Sequence, residues 1–194
     1  MTHDTSKRGE DRSSILVVED SKTQAAQLEM MLKSEGYAVD VVHDAEEGLE
    51  RVRGGGYGVV LMDIILPGLS GLEACRILKE DPATRATPVV LVTQLTNPTD
   101  MLDGLQAGAD NYVTKPYEKT QILDRIGLLL QDAGEGAPAS DQAVELPFGG
   151  KTFHIGVDKG HVLNFLLPIV DALDGANREL ETFGAALAHD LRNP

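Results

Sequence analysis

The chain of 194 residues has room for one domain of ordinary size, about 100–150 residues, plus an extension. Its 31 acidic and 17 basic residues give a net charge of −14, which argues against gripping nucleic acid through a basic face, so no nucleic-acid partner is expected. The lone cysteine, Cys75, excludes an intrachain disulfide, the polar start Met1 to Ser14 lacks the apolar stretch of a signal peptide, and no apolar run approaches the roughly 18–20 residues of a membrane helix; a cytoplasmic chain without membrane contact is expected.

Ile15 to Val18 is a short continuous apolar run that ends in Glu19-Asp20, the pattern of a strand buried on both faces. Ser21 is placed to cap a helix from Lys22 to Ser34, with Ala25, Leu28, Met31 and Leu32 on one face and Gly36 as its stop. Ala38 to Val42 reads as a second strand. Asp44 opens a helix through Ala45, Leu49 and Val52 that ends at Gly54-Gly55-Gly56. Val59 to Met62 is the third run and ends on Asp63; Pro67-Gly68 then marks a loop. A helix with Leu72, Cys75, Ile77 and Leu78 stops before Pro82, and Cys75 fits it as a small core residue. Pro88 to Val92 ends on Thr93. Asn97-Pro98 starts a helix with Met101, Leu102 and Leu105, closed by Gly108. Asn111 to Thr114 ends on Lys115-Pro116, and a last amphipathic helix carries Ile122, Ile126, Leu129 and Leu130.

Strands alternating with helices from about Ser14 to Gln131 imply βαβ units with right-handed crossovers. The predicted fold is α/β: a five-stranded, doubly wound parallel sheet of the flavodoxin type over 14–131. Residues 132–143 are rich in Gly, Ala, Pro and acids and read as a linker. Residues 144–157, with Gly149-Gly150 in the middle, read as a β-hairpin that should pack on something or pair across a dimer. Residues 158–194 then carry Val162, Leu166, Ile169, Leu173, Ala176, Leu180, Phe183 and Leu187 at alternating spacings of four and three, interrupted at Pro168. That seam predicts a coiled-coil helix and a homodimer through 162–187.

In a doubly wound sheet, ligands bind beyond the carboxyl ends of the strands. There the sequence delivers Glu19 and Asp20, Asp63, Thr93 and Lys115. Three carboxylates in one crevice repel one another unless a cation sits among them, and hard oxygen ligands suit Mg²⁺. A lysine and a hydroxyl at the rim complement the oxygens of an incoming phosphoryl group.

With Val-Val-Glu-Asp at the first strand end, Leu-Met-Asp at the third followed by Pro67-Gly68, Thr93 at the fourth and Lys115-Pro116 at the fifth, residues 14–131 resemble the receiver domain of two-component response regulators. The resemblance implies that Asp63 is the phosphoacceptor, and that Glu19, Asp20, Asp63 and the backbone carbonyl of Ile65 hold Mg²⁺. It implies that Thr93 binds a phosphoryl oxygen, that Lys115 pairs with the phosphate, that the Lys115-Pro116 bond is cis, and that Tyr112 is the aromatic switch residue that turns inward with Thr93. The phosphodonor would be a histidine kinase or a phosphotransfer protein. Gln94 departs from the pattern, which has a small residue after the switch hydroxyl, and bears on how long the phosphoryl group survives. Arg53 to Gly58 lies in the wrong order for a nucleotide loop, and His43, His154 and His161 have no metal-ligand spacing.

The end of the chain, Ala188-His189-Asp190-Leu191-Arg192-Asn193-Pro194, resembles the H-box that opens a histidine-kinase dimerisation helix. That resemblance implies a second phosphosite at His189, with Asp190 polarising its imidazole. No ATP-binding motif accompanies it. The expectation is therefore a receiver module joined to the entry helix of a sensor kinase, with a phosphate-sink or docking receiver carrying a constitutive dimer helix as the alternative.

Overall fold

The computed structural model describes residues 14–94, 98–132, 143–148 and 151–156. The continuous apolar runs become the middle of a sheet. They are β1 (Ser14–Val18), β3 (Val59–Asp63) and β4 (Val89–Thr93), and every residue of β3 and β4 is buried. β2 (Ala38–Val42), where exposed and buried positions mix, and β5 (Asn111–Thr114) take the two edges. The order is β2-β1-β3-β4-β5 and every pairing is parallel, which is the flavodoxin-like α/β arrangement expected from the sequence.

The connecting helices are α1 (Lys22–Ser34), α2 (Ala45–Gly54), α3 (Gly71–Glu80), α4 (Pro98–Gln106) and α5 (Lys119–Asp132). The first three start at side chains that satisfy otherwise unpaired backbone N–H groups. Ser21 accepts from the Gln24 N–H, and Asp44 accepts from the Glu47 N–H at 2.8 Å. Gly36 and Gly55, both at positive φ, end the first two helices as predicted.

Alternate strand residues point to opposite faces, and the core divides accordingly. Leu16, Val18, Val60, Met62, Leu91 and Tyr112 pack under α2, α3 and α4 with Leu49, Cys75, Leu78 and Met101. Ile15, Val17, Leu61, Val90, Val92 and Val113 pack under α1 and α5 with Leu28, Leu32, Ile122 and Ile126. Cys75 is fully buried and its thiol pKa is pushed up to about 12 by burial, in keeping with a packing role. At the amino end of β4, Asp110 accepts from the Val89 N–H and from the Lys79 ammonium, both at 2.6 Å; Lys79 also donates to the Thr87 carbonyl at 2.9 Å. That knot fixes where β4 begins, and so where it ends.

A second, two-stranded sheet pairs β6 (Ala143–Phe148) with β7 (Lys151–Gly156) antiparallel, and β7 lies against α4. The seam Val162 to Leu187, together with His161, His189 and Asp190, lies outside the described residues. Among the described residues no helix is long and apolar enough to cross a membrane.

α3 begins against the end of β3. A Cβ on Gly71 would stand 2.0 Å from the Asp63 backbone oxygen, so only glycine lets the helix approach this closely. Gly127 in α5 has open space around it. Gly71→Ala is expected to lose at least about 2 kcal/mol of stability in urea unfolding, whereas Gly127→Ala gains roughly 1 kcal/mol from helix propensity. An unchanged midpoint for Gly71→Ala would show that α3 yields more easily than this contact implies.

Candidate functional site

Parallel pairing brings the carboxyl ends of the strands to one edge. Val18 pairs with Met62, Asp63 with Val92, and Thr93 with Thr114, so the residues that follow converge. The Lys115 ammonium sits 2.6 Å from Glu19 Oε2 and 2.6 Å from Asp63 Oδ2. These three side chains are only 3–9% exposed. Asp20 is exposed at the rim, yet ligand oxygens from Glu19, Asp20 and Asp63 all lie within 4.8 Å of one another. Every carboxylate expected at the crevice from the sequence is therefore in it.

The charges shape one another. Burial raises the Glu19 pKa, and Lys115 offsets only part of that rise. For Lys115, burial disfavours the ammonium, but the hydrogen bonds and charges of Asp63 and Glu19 outweigh it and raise the pKa. The lysine thus stays charged and occupies the position between the carboxylates. Hard oxygens at this separation fit a small divalent cation, the donor set that Mg²⁺ prefers.

Around this centre, Asp63 Oδ1 accepts from the Ile65 N–H at 2.9 Å, which sets the carboxylate's orientation. Ile65 itself is 57% exposed. Thr93 is buried at the end of β4, and its carbonyl accepts from the Lys115 N–H at 2.7 Å. The Lys115-Pro116 bond is cis, as the resemblance implies. Tyr112 is buried under α4, and burial raises its hydroxyl pKa well above the ordinary value. Gln94 is exposed and lines a cleft of about 550 Å³ with Gln24, Met31, Lys115, Pro116 and Tyr117.

Three further contributors lie outside the set that the sequence places at the strand ends. His43 is not incidental: its Nδ1 lies 2.9 Å from the Glu19 carbonyl, tying the end of β2 to the metal-side turn. The parallel register that sets Val42 beside Val18 places it there, a consequence of pairing and not of spacing along the chain. Ser70 and Glu73 form a capping box at the start of α3, legible as the Ser-x-x-Glu signature. Glu46 accepts from the Leu69 N–H at 3.3 Å and so holds the loop after Asp63.

The family model of the response regulator receiver domain matches residues 15–127. The chain belongs to this family. Receiver domains work in two-component phosphorelay signalling, accept phosphate from histidine kinases or phosphotransfer proteins, and bind Mg²⁺ at an acidic site. Among curated relatives, the uncharacterized transcriptional regulatory protein YkoG of Bacillus subtilis is 43% identical over 124 residues, covering 64% of this chain and 54% of its own length. The chain spans about half the length of the curated relatives it matches. Among solved structures, the receiver domain of a signal transduction histidine kinase from Syntrophus aciditrophicus is 32% identical with a TM-score of 0.58, covering 70% of this chain and 98% of that one. The receiver domain of the sensor histidine kinase PA1611 from Pseudomonas aeruginosa, with a magnesium ion in its active-site cleft, is 30% identical with a TM-score of 0.58, covering 61% and 97%.

In this receiver Lys115 is the side-chain cation that stands between Glu19 and Asp63. Lys115→Ala leaves Glu19 and Asp63 facing each other with little water between them, and should lose about 3 kcal/mol in metal-free buffer. Added Mg²⁺ should recover part of that loss. Thermal denaturation with and without Mg²⁺ measures both effects, and an equal drop in the two buffers would speak against a metal among these carboxylates.

Proposed function

We propose that Asp63 accepts a phosphoryl group from a phosphohistidine donor and that the surrounding residues make and reset this state. The reading is supported above all by the Lys115 ammonium, held at 2.6 Å from Asp63 at the carboxyl edge of the sheet. An Asp63 oxygen attacks phosphorus, the bond from phosphorus to the donor imidazole nitrogen breaks, and the imidazole leaves with its electron pair. The product is an acyl phosphate on Asp63, which water later hydrolyses to restore the carboxylate. Glu19, Asp20, Asp63 and the Ile65 carbonyl would hold Mg²⁺, which when bound neutralises charge on the phosphoryl oxygens. Lys115 pairs with a phosphoryl oxygen and steadies the charge that spreads over the group in the loose transition state. Thr93 offers its hydroxyl to another oxygen, and Tyr112 packs inward with it.

The output assigned to this state is control of an attached sensor histidine kinase through a dimeric helix over 162–187 that leads to His189 and Asp190. Its support is the H-box-like sequence at 188–194 and the likeness to receiver domains that come from histidine kinases. A cytoplasmic setting belongs to the same reading. The exclusion of nucleic acid as a partner rested on net charge alone. A relative named a transcriptional regulatory protein leaves it unsupported for the whole protein.

Asp63→Asn is expected to abolish labelling by acetyl phosphate and binding of beryllofluoride, and chelation of Mg²⁺ should do the same to the unaltered chain. Labelling that survives the substitution would refute the assignment. For the output, cysteine pairs placed along 162–187 should cross-link between chains in a pattern that shifts when beryllofluoride is added. A constant pattern would favour the phosphate-sink reading with a passive dimer helix.

A further inference from the structure

The hairpin and the site share one helix. β7 lies on α4, and the Lys151 ammonium stands 3.7 Å from Asp103 Oδ2. A two-stranded hairpin is marginal in water by itself, so its packing on α4 is what it depends on. Beneath, the same helix rests on the strands that build the site. A Cβ on Gly104 would stand 3.1 Å from Leu91 Cδ1 and 3.4 Å from Tyr112 Cδ2, and Met101 is buried in the same cluster. Leu91 and Tyr112 pair across β4 and β5. Two residues beyond Leu91 is Thr93; three beyond Tyr112 is Lys115. The hairpin therefore holds from outside the helix that covers the two strands delivering the hydroxyl and the ammonium.

We propose that the β6–β7 hairpin is an intramolecular clamp on α4, which keeps that helix seated over the buried Tyr112 and thereby favours the arrangement that receives a phosphoryl group on Asp63. The inference rests on the Asp63 reading and adds a partner for α4 drawn from the chain itself. Its direction is taken from the receiver resemblance, which pairs an inward aromatic with the occupied site; here Tyr112 is buried while the hairpin is seated on α4. Coupling of this kind is reciprocal. If the docked hairpin strengthens binding at Asp63 by some factor, occupancy of Asp63 strengthens docking of the hairpin by the same factor.

The test uses the full chain, with beryllofluoride and Mg²⁺ as the probe. Hydrogen exchange of the 143–156 amides should slow when beryllofluoride binds. Titration calorimetry should give weaker beryllofluoride binding, by about fivefold or more, when Phe153→Pro and His154→Pro are combined to break the β6–β7 ladder. Asp103→Lys and Lys151→Glu should each weaken binding by a smaller factor, and the two together, with the charges exchanged, should restore it. That series changes only surface charge and so reads the contact without endangering the fold. Binding by the unaltered chain with no change in hairpin exchange, or equal or tighter binding by the proline variant, overturns the clamp. Failure of the unaltered chain to bind beryllofluoride removes the Asp63 reading, and the clamp with it.

Discussion

Lys115 holds a positive charge at 2.6 Å from two carboxylates that come from different strands. At about 4 Å and an effective dielectric near 20, two such carboxylates facing each other without it would repel by about 4 kcal/mol. The lysine offsets that repulsion at the acidic edge of the sheet. That requirement propagates outward. Lys115 must arrive from β5, Asp63 from β3 and Glu19 from β1, and a parallel sheet in the order β2-β1-β3-β4-β5 is what brings those three strand ends together. The two half-cores and the knot of Asp110 with Lys79 then serve to fix strand ends in register, and the geometry of the site is inherited from them.

Much of this is legible in the amino-acid sequence. Apolar runs of four or five residues ended in chemistry-bearing side chains, and the periodicity between them was helical, so fold and site could be read together. Ser21 and Asp44 could be assigned as caps because capping is local. Cys75 could be placed in the core because its helix has one apolar face. What escaped was whatever depends on pairing across the sheet. His43 looked scattered along the chain, yet it sits against the Glu19 carbonyl because β2 runs beside β1. Asp110 stands in no sequence motif, yet it closes on Lys79 and on the first N–H of β4. The seating of β7 on α4 has no local signature either; the sequence showed only that such a hairpin needs a support.

The receiver family model matches residues 15–127. Within that span Gln94 stands beside the crevice, and beyond it come the hairpin at 143–156 and the seam ending near His189. The first two meet the site through the β4–α4 side: Gln94 follows Thr93 directly, and the hairpin touches the helix that comes next.

The missing side chain of Gly71 has a consequence for where motion can occur. With α3 pressed against the Asp63 carbonyl, the Ile64 carbonyl accepting from the Gly71 N–H at 3.0 Å, and Glu46 holding Leu69, the Asp63 side of the crevice is a fixed jaw. A rigid jaw transmits nothing by bending. If Asp63 is phosphorylated as proposed, the change of shape falls to the opposite jaw, on the side of Thr93 and α4, and that is the side on which this chain has laid its own hairpin.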